Sequence, residues 1–204
     1  MNILEEKPNT KRPVIIRAAT ALFAKRGVDA TSMRDIADAA GVREAAIYRY
    51  FTSKDEMCRE IFASWYGWYS RQLCEIVRGL GDTKEKVYNA ARLELSAAED
   101  HPEAFTYFCE NEARFLRSLP VSVPRVRDVF IELVKEGQAR REVKAGDVRV
   151  LVDMLSGALC AVALSSAWRR RRGQRNNQLD LIAEACWAMI KAWNLENRGK
   201  SDDA

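Results

Sequence analysis

Apolar residues recur at intervals of three and four along almost the whole chain, and this spacing constrains the fold more than any other feature. A helix gathers such residues on one face, whereas a half-buried strand alternates them, and almost no run of this sequence alternates. The 204 residues include only 10 glycines and 5 prolines, so few positions interrupt helices. The sequence therefore predicts an all-α protein.

The interruptions divide the chain into predicted helices, of which the second and third are short and the fourth is long. Thr10 is the expected N-cap of the first helix, and Ser53 opens the fourth with a capping-box pattern. The predicted helices cover about residues 11–27, 32–40, 43–50, 53–79, 83–99, 102–118, 123–140, 147–168 and 177–194.

Two short helices around a glycine, preceded by a longer helix, form a helix-turn-helix pattern. Gly41 stands where the turn needs a positive φ, and Ala37 is small enough for close helix packing. Ile36, Val42 and Ile47 are spaced to fill the core between the helices. The outward positions hold long or hydrogen-bonding side chains, as a reader of a DNA groove requires. These residues are Arg43, Glu44, Tyr48 and Arg49.

The excess of positive charge lies in the first quarter of the chain. Residues 1–54 contain ten basic and six acidic side chains, a net charge of +4. This is the net charge of the whole protein. The remaining residues are balanced. This distribution is expected if the N-terminal region meets a polyanion.

Several segments between residues 11 and 57 follow one another at fixed spacing. They are Ile15-Ile-Arg-Ala-Ala19, Leu22-Phe23, Gly27, Thr31-Ser-Met-Arg-Asp-Ile-Ala37, Ala40-Gly-Val42, Ile47-Tyr48 and Tyr50-Phe51-Thr-Ser-Lys54-Asp55. In these segments the chain resembles the N-terminal domain of the TetR/AcrR family of transcriptional regulators. The resemblance implies a helix-turn-helix DNA-binding domain at 10–55, with its motif at about 32–51. A larger helical domain for ligand binding and dimerisation is then expected at 56–204.

The resemblance also implies roles for individual residues in DNA binding. The phosphate-holding positions are Thr31, Ser32, Tyr48, Tyr50 and Lys54, and the positions nearest the bases are Arg43, Glu44, Ala45 and Arg49. Arg49 is suited to guanine and Glu44 to cytosine. The chain departs from the family at Arg43, where a serine is common, so a hydroxyl is exchanged for a long cation.

The last two predicted helices carry apolar residues on more than one side. The helix that ends near Trp168 is apolar nearly all round from Met154. The last helix has a second face of mostly small residues, formed by Leu181, Ala185, Ala188 and Ala192. Helices buried on two sides predict a homodimer built as a four-helix bundle. The alternative is an ordinary buried pair within a monomer.

Aromatic residues and one carboxylate define a candidate ligand site. Its residues are Trp65, Trp68, Tyr69, His101, Phe105, Phe108 and Glu112. The aromatic residues have the spacing of ordinary core as well as of a ligand pocket. Glu112 falls in the middle of an apolar stripe, where it needs an ion pair, access to water, or a ligand. As a ligand anchor it favours a cationic or hydrogen-bond-donating effector, with His101 as a second polar contact.

Several classes of protein are disfavoured. His101 is the only histidine and no glycine-rich phosphate loop occurs, so neither an enzyme nor a metal or other cofactor is expected. The five cysteines form no C-x-x-C pair and predict free thiols in a reducing cytoplasm. The longest uncharged stretch, Met154–Trp168, is too short for a membrane span, and the N-terminus lacks a signal peptide.

The sequence thus predicts a cytoplasmic, ligand-responsive transcriptional regulator that binds an operator as a homodimer. Repression relieved by a small molecule is the first hypothesis, and the second is an activator or a global regulator without a small effector. A rival class is an all-helical small-molecule carrier or enzyme with a vestigial DNA-binding head. The run Arg169–Arg175 is interpreted as a solvated loop or as a supplementary contact to nucleic acid, a partner or acidic lipid.

Overall fold

The computed structural model describes residues 11–165 and 175–192, and within these ranges its regular structure is helical apart from one isolated β-bridge. This confirms the all-α prediction. The helices are α1 Arg12–Arg26, α2 Met33–Ala40, α3 Glu44–Ile47, α4 Lys54–Arg78, α5 Thr83–Asp100, α6 Pro102–Phe115, α7 Val126–Ala139, α8 Val148–Leu164 and α9 Arg175–Ile190. None of the helices in the described ranges combines the length and apolar character needed to cross a membrane.

Some predictions lie outside the described residues. They concern the Thr10 cap, Trp168 and most of the Arg169–Arg175 run.

The chain divides into two compact units. Unit 1 comprises residues 11–74 and 96–125, and unit 2 comprises 75–95 and the described residues from 126 onward. Helices α4 and α5 contribute residues to both units. The boundary predicted between residues 55 and 56 therefore falls inside α4 and inside unit 1. The predicted boundary lies between a DNA-binding part and a ligand-binding part, not between compact units. As a division of function it stays a prediction.

In unit 1, α1 packs against α2 and α6. Ile15, Ile16 and Phe23 give α1 a fully buried face. Tyr107 of α6 stacks on Phe23 with ring centroids 5.5 Å apart, and its hydroxyl donates to the Cys58 carbonyl at 2.8 Å. One tyrosine thus joins α6 to both α1 and α4.

In unit 2, α8 packs against α7 and α9. Lys86 is almost fully buried, and its ammonium group lies 3.0 Å from the Glu136 carboxylate of α7. Gly137 permits a close approach, because a Cβ there would lie 2.5 Å from the Val143 side chain. Buried charge is therefore paired, and the chain after α7 lies directly against that helix.

The end of the last helix differs from its prediction. Helix α9 ends at Ile190 rather than near residue 194. Lys191 forms an antiparallel bridge with Val143, and the Ala192 amide donates to the Glu142 carbonyl at 2.8 Å. The prediction that Ala192 continues the small-residue face of the helix is therefore wrong, because its backbone pairs with another segment.

The start of α7 and the end of α6 also differ from the predicted positions, because the residues between them form turns and hydrogen bonds of their own. Helix α7 begins at Val126 rather than 123, and the Arg125 guanidinium bonds the carbonyls of Leu119 and Val123 before it. The prediction of one helix over 102–118 is corrected to an α-helix that ends at Phe115 and a following 3-10 turn.

Candidate nucleic-acid interface

The turn between α2 and α3 has the predicted backbone. Gly41 adopts φ 65° and ψ 35°, in the left-handed region that favours glycine. The Val42 amide after it donates to the Ala37 carbonyl at 3.0 Å, closing the end of α2. A Cβ at Gly41 would meet nothing within 4 Å, so the turn requires glycine for its φ and not for space.

A small core holds α2 and α3 together. Ile36, Ala37 and Ile47 are buried as predicted, and Val42 is half-buried. Helix α3 is shorter than the predicted 43–50, because its last residues form turns in which the amides of residues 50 and 51 both donate to the Ile47 carbonyl. These contacts fix the direction of α3 relative to α2.

The start of α2 is held by a reciprocal cap. The Ser32 hydroxyl accepts from the Asp35 amide, and the Asp35 carboxylate accepts from the Ser32 amide at 2.8 Å. Hydrogen bonds from Ser32, helped by Arg26 at 2.8 Å, lower the pKa of Asp35 to about 2. The cap leaves Ser32 exposed at a helix N-terminus, where phosphate oxygens are favoured.

The outward side of the recognition segment is exposed, and we call it the α3 face. It consists of Arg43, Glu44, Ala45, Tyr48 and Arg49. Half of the Tyr48 surface is accessible. Among the described residues, no hydrogen bond or ion pair engages the side chains of Arg43, Glu44 or Arg49. The α3 face therefore presents donors and acceptors that the fold itself does not use.

Two predicted phosphate ligands have partners inside the protein. Thr31 is buried, and its hydroxyl donates to the Gly27 carbonyl at 2.8 Å, so a direct phosphate contact would require its release. The Lys54 ammonium group donates to the carbonyls of Val28 and Thr31, both at 2.8 Å. It keeps one further N–H donor. Tyr50 is 38% exposed, and its hydroxyl has no hydrogen bond among the described residues.

The predicted ligand residues all lie in unit 1, and we call the aromatic ones, with His101, the aromatic cluster. Its members are Trp65, Trp68, Tyr69, His101, Phe105 and Phe108. Trp65 lies 4.9 Å from Trp68 and 5.3 Å from His101, between ring centroids. Phe108 lies 5.9 Å from Tyr69 and 6.2 Å from Phe105.

Glu112 lies on α6 one turn after Phe108 and is half-buried. Among the described residues its carboxylate has no hydrogen bond or ion pair, so none of these residues forms the predicted internal ion pair. Burial raises the pKa of this carboxyl group. A half-buried carboxylate without a partner is available to a ligand or to water.

A connection between α6 and α1 was not anticipated from the sequence. Besides Tyr107, the Arg114 guanidinium of α6 donates to Asp29 at 3.1 Å, just after α1. Tyr107 lies beside the apolar stripe of α6, and the sequence pattern does not distinguish a tyrosine there from an ordinary core residue. The only signal in the sequence was its polar hydroxyl, which needs a partner when buried.

Unit 2 presents an exposed apolar surface on α8 and α9. Leu181 is 68% exposed, and Ala185 and Ala188 are exposed on the same side of α9. Val150 and Met154 are exposed on α8, four residues apart. We call these five residues the α8/α9 face. The two helices pack against each other, and exposed apolar side chains on neighbouring helices are the material of an interaction surface.

These features define a helix-turn-helix protein with an additional helical region. Residues 15–61 match the family model described as bacterial regulatory proteins of the tetR family. In these residues the chain is similar to the DNA-binding region of tetR-family regulators.

Curated relatives and solved structures show the same similarity. The transcriptional repressor KstR2 of Mycobacterium tuberculosis is 33% identical over 112 residues, which are 55% of this chain and 56% of KstR2. The match thus spans little more than half of that relative. The solved structure of the M. tuberculosis ketosteroid transcriptional regulator KstR2 has a TM-score of 0.76 at 21% identity, over 92% of this chain and 98% of that one.

A second solved structure is the regulator FadR of Bacillus subtilis in complex with stearoyl-CoA. Its TM-score is 0.65 at 20% identity, over 87% of this chain and 98% of that one. At such identities both structural likenesses show the fold.

Proposed function

We propose that the protein is a homodimeric transcriptional repressor that binds operator DNA through the α3 face and is released by a small molecule. The observation that carries the proposal is the α3 face, where Arg43, Glu44 and Arg49 are exposed and unengaged beside a tightly buried helix-turn-helix core. Such a protein acts in the cytoplasm, where bacterial DNA is found.

Each residue of the interface has a role that its chemistry supports. Arg49 donates two hydrogen bonds to guanine, and Glu44 accepts from cytosine. Ser32 at the start of α2, with Tyr48 and Tyr50, binds phosphates. The remaining N–H donor of Lys54 serves the same purpose. Thr31 is assigned only an indirect role, through the backbone that Lys54 holds.

The α8/α9 face forms the dimer interface in this proposal. A helix-turn-helix unit reads one half-site, and two units related by a twofold axis read a palindrome whose half-sites are about 34–36 Å apart. Leu181, Ala185 and Ala188 of one copy then face the same residues of the other, with Val150 and Met154 beside them. Small residues allow the helices of two copies to approach closely.

The effector binds at the aromatic cluster and Glu112. Aromatic walls favour an apolar effector, and Glu112 favours a hydrogen-bond donor or cation on it. A ketosteroid and stearoyl-CoA are rational first probes, because KstR2 is a ketosteroid transcriptional regulator and FadR of Bacillus subtilis was solved in complex with stearoyl-CoA.

The signal reaches the DNA-binding helices through α6. Phe108 of the cluster and Tyr107 are neighbours on α6, and Tyr107 contacts Phe23 of α1. A ligand that prefers one position of α6 therefore changes the free energy of one arrangement of α1 and the helices packed on it. Differential affinity for two arrangements is what allosteric release requires.

The test has two stages. Duplexes bound from a random pool are sequenced, and the affinity for the enriched site is then measured between about 50 and 200 mM salt. We expect a palindromic consensus and an affinity that falls steeply with salt. Compounds are then screened for release of this complex. Binding without enrichment, or no salt-dependent binding, would contradict the proposal and favour a carrier or enzyme with a vestigial head.

A further inference from the structure

Trp65 carries a buried hydrogen-bond donor without an acceptor. The side chain is 1% exposed, and its Nε1–H has no partner among the described residues. Among the described residues, the Thr83 hydroxyl is the only other buried side-chain polar group without a hydrogen-bond partner. Buried polar groups are nearly always paired, so each exception calls for an explanation.

The surroundings of Trp65 suit a ligand with a flat ring. Trp68 and His101 both contact it, and His101 meets the two indole rings edge-on, at 78° and 83°. Both neighbours are half-buried, so solvent reaches the cluster at this edge. No hydrogen bond holds the His101 imidazole to another described residue. The cluster thus combines aromatic surface with two polar groups, the Trp65 Nε1–H and the His101 imidazole, that have no hydrogen-bond partner among the described residues.

We propose that the effector, on which the proposed function depends, is a flat apolar ring compound whose hydrogen-bond acceptor takes the Trp65 Nε1–H. A carbonyl oxygen on a ring system is the simplest such acceptor. The rings stack on or abut the aromatic side chains, and the oxygen satisfies the buried indole donor that the described residues leave without an acceptor. His101, whose ring lies 5.3 Å from the Trp65 ring between centroids, is the second polar group offered to the acceptor.

The experiment uses two probes of the same shape, 9-fluorenone and fluorene, which differ by a carbonyl oxygen. Binding of each to the full-length protein is measured by calorimetry. The indole N–H resonances of the five tryptophans are followed with 15N-labelled protein. We expect fluorenone to bind roughly five- to tenfold more tightly than fluorene, as one satisfied buried donor allows. Only fluorenone should shift the Trp65 resonance downfield.

Trp65→Phe keeps an aromatic ring and removes the donor, so it should abolish the preference for fluorenone. Trp187→Phe, in α9, is the matched control and should retain the preference. If Trp65→Phe does not fold, the resonance shift in the wild-type protein still decides. Equal binding of the two probes, or no binding of either, would overturn the inference. An unshifted Trp65 resonance would also overturn it, because it would indicate that the indole N–H points at a neighbouring aromatic ring instead of at the ligand.

Operator binding separates this inference from the proposed function. Salt-dependent, sequence-specific binding without a preference for fluorenone would overturn the ligand chemistry alone. A shifted Trp65 resonance in a protein that binds no specific DNA would support the ligand chemistry and overturn the repressor proposal.

Discussion

The α3 face and the aromatic cluster lie in the same compact unit, but their side chains contribute differently to the fold. Arg43 and Arg49 are exposed and make no polar contact among the described residues. Trp65, Tyr69 and Phe105 are each 1% exposed and pack against their neighbours. Removing a residue of the first group should leave the fold intact, whereas removing one of the second should damage it.

The difference explains why function is easier to infer at a surface than in an interior. A surface residue without a structural partner needs another reason for its chemical type, and groove recognition supplies one. In an interior, packing and ligand binding use the same aromatic residues. Only polar groups that packing cannot explain, such as the Trp65 donor and the Glu112 carboxylate, distinguish a ligand site from ordinary core.

The largest effect is expected from a variant that disrupts the dimer, so that each α3 face binds DNA without a second copy. Ala188→Arg places a long cation on the α8/α9 face, so the dimer should dissociate. Operator affinity should then fall by a factor of about 100 or more, because the second half-site no longer contributes. Analytical ultracentrifugation and a binding titration measure both. Ala139→Arg, at an exposed alanine of α7, is the control, and a folded Ala188→Arg dimer with full affinity would move the interface elsewhere.

The next effect concerns the interior. Glu112→Gln keeps the shape of the side chain and removes its charge. The effector concentration for half-release of the operator should rise roughly tenfold, because a charge-assisted hydrogen bond is lost. Operator affinity without effector should stay near that of the wild type. Glu110→Gln, an exposed glutamate of the same helix, is the control. An unchanged dose response would remove Glu112 from the site.

Lys54→Ala should weaken binding to all DNA sequences by a similar factor. The loss of one phosphate contact should reduce the slope of log affinity against log salt by about 1. Since Lys54 also holds the carbonyls of Val28 and Thr31, some loss of thermal stability should accompany it. Lys135→Ala, an exposed lysine of α7, controls for the change in net charge. A salt slope equal to that of the wild type would leave Lys54 a purely structural role.

The smallest effect is expected at the cap of α2. Ser32→Ala removes an N-cap hydroxyl and should lower the free energy of unfolding by roughly 0.5–2 kcal/mol at neutral pH. Bonds from Ser32 depress the pKa of Asp35 to about 2, so their stabilisation exists above its ordinary pKa and is lost as pH falls from about 4 toward 2. The difference between the proteins should shrink over that range. Urea titrations at several pH values measure it, with Ser122→Ala as control.

The sequence predicted what local rules determine. The positive φ at Gly41, the cap at Ser32 and the burial of Ile36 and Ile47 all depend on residues within a few positions of one another. The end of α9 at Ile190 depends on pairing with a segment about fifty residues earlier, which no local pattern reports.

For the site, composition and spacing identified which residues are exposed or buried, but not their partners. Thr31 and Lys54 had the right chemistry for phosphate, yet both are engaged by backbone carbonyls of neighbouring loops. The link from Tyr107 to Cys58 and Phe23 likewise joins three helices. Such contacts arise from tertiary packing, so the sequence alone could not supply them.

The central claim is that the α3 face reads DNA sequence, and parallel selection with the wild-type protein and Arg49→Ala tests it most directly. The wild type should enrich a palindrome, and Arg49→Ala should lose the preference at one base position of each half-site, worth about 1–3 kcal/mol there. Arg117→Ala, at an exposed arginine of the same unit, should enrich the wild-type consensus. An Arg49→Ala protein that folds and selects the unchanged consensus would contradict the account.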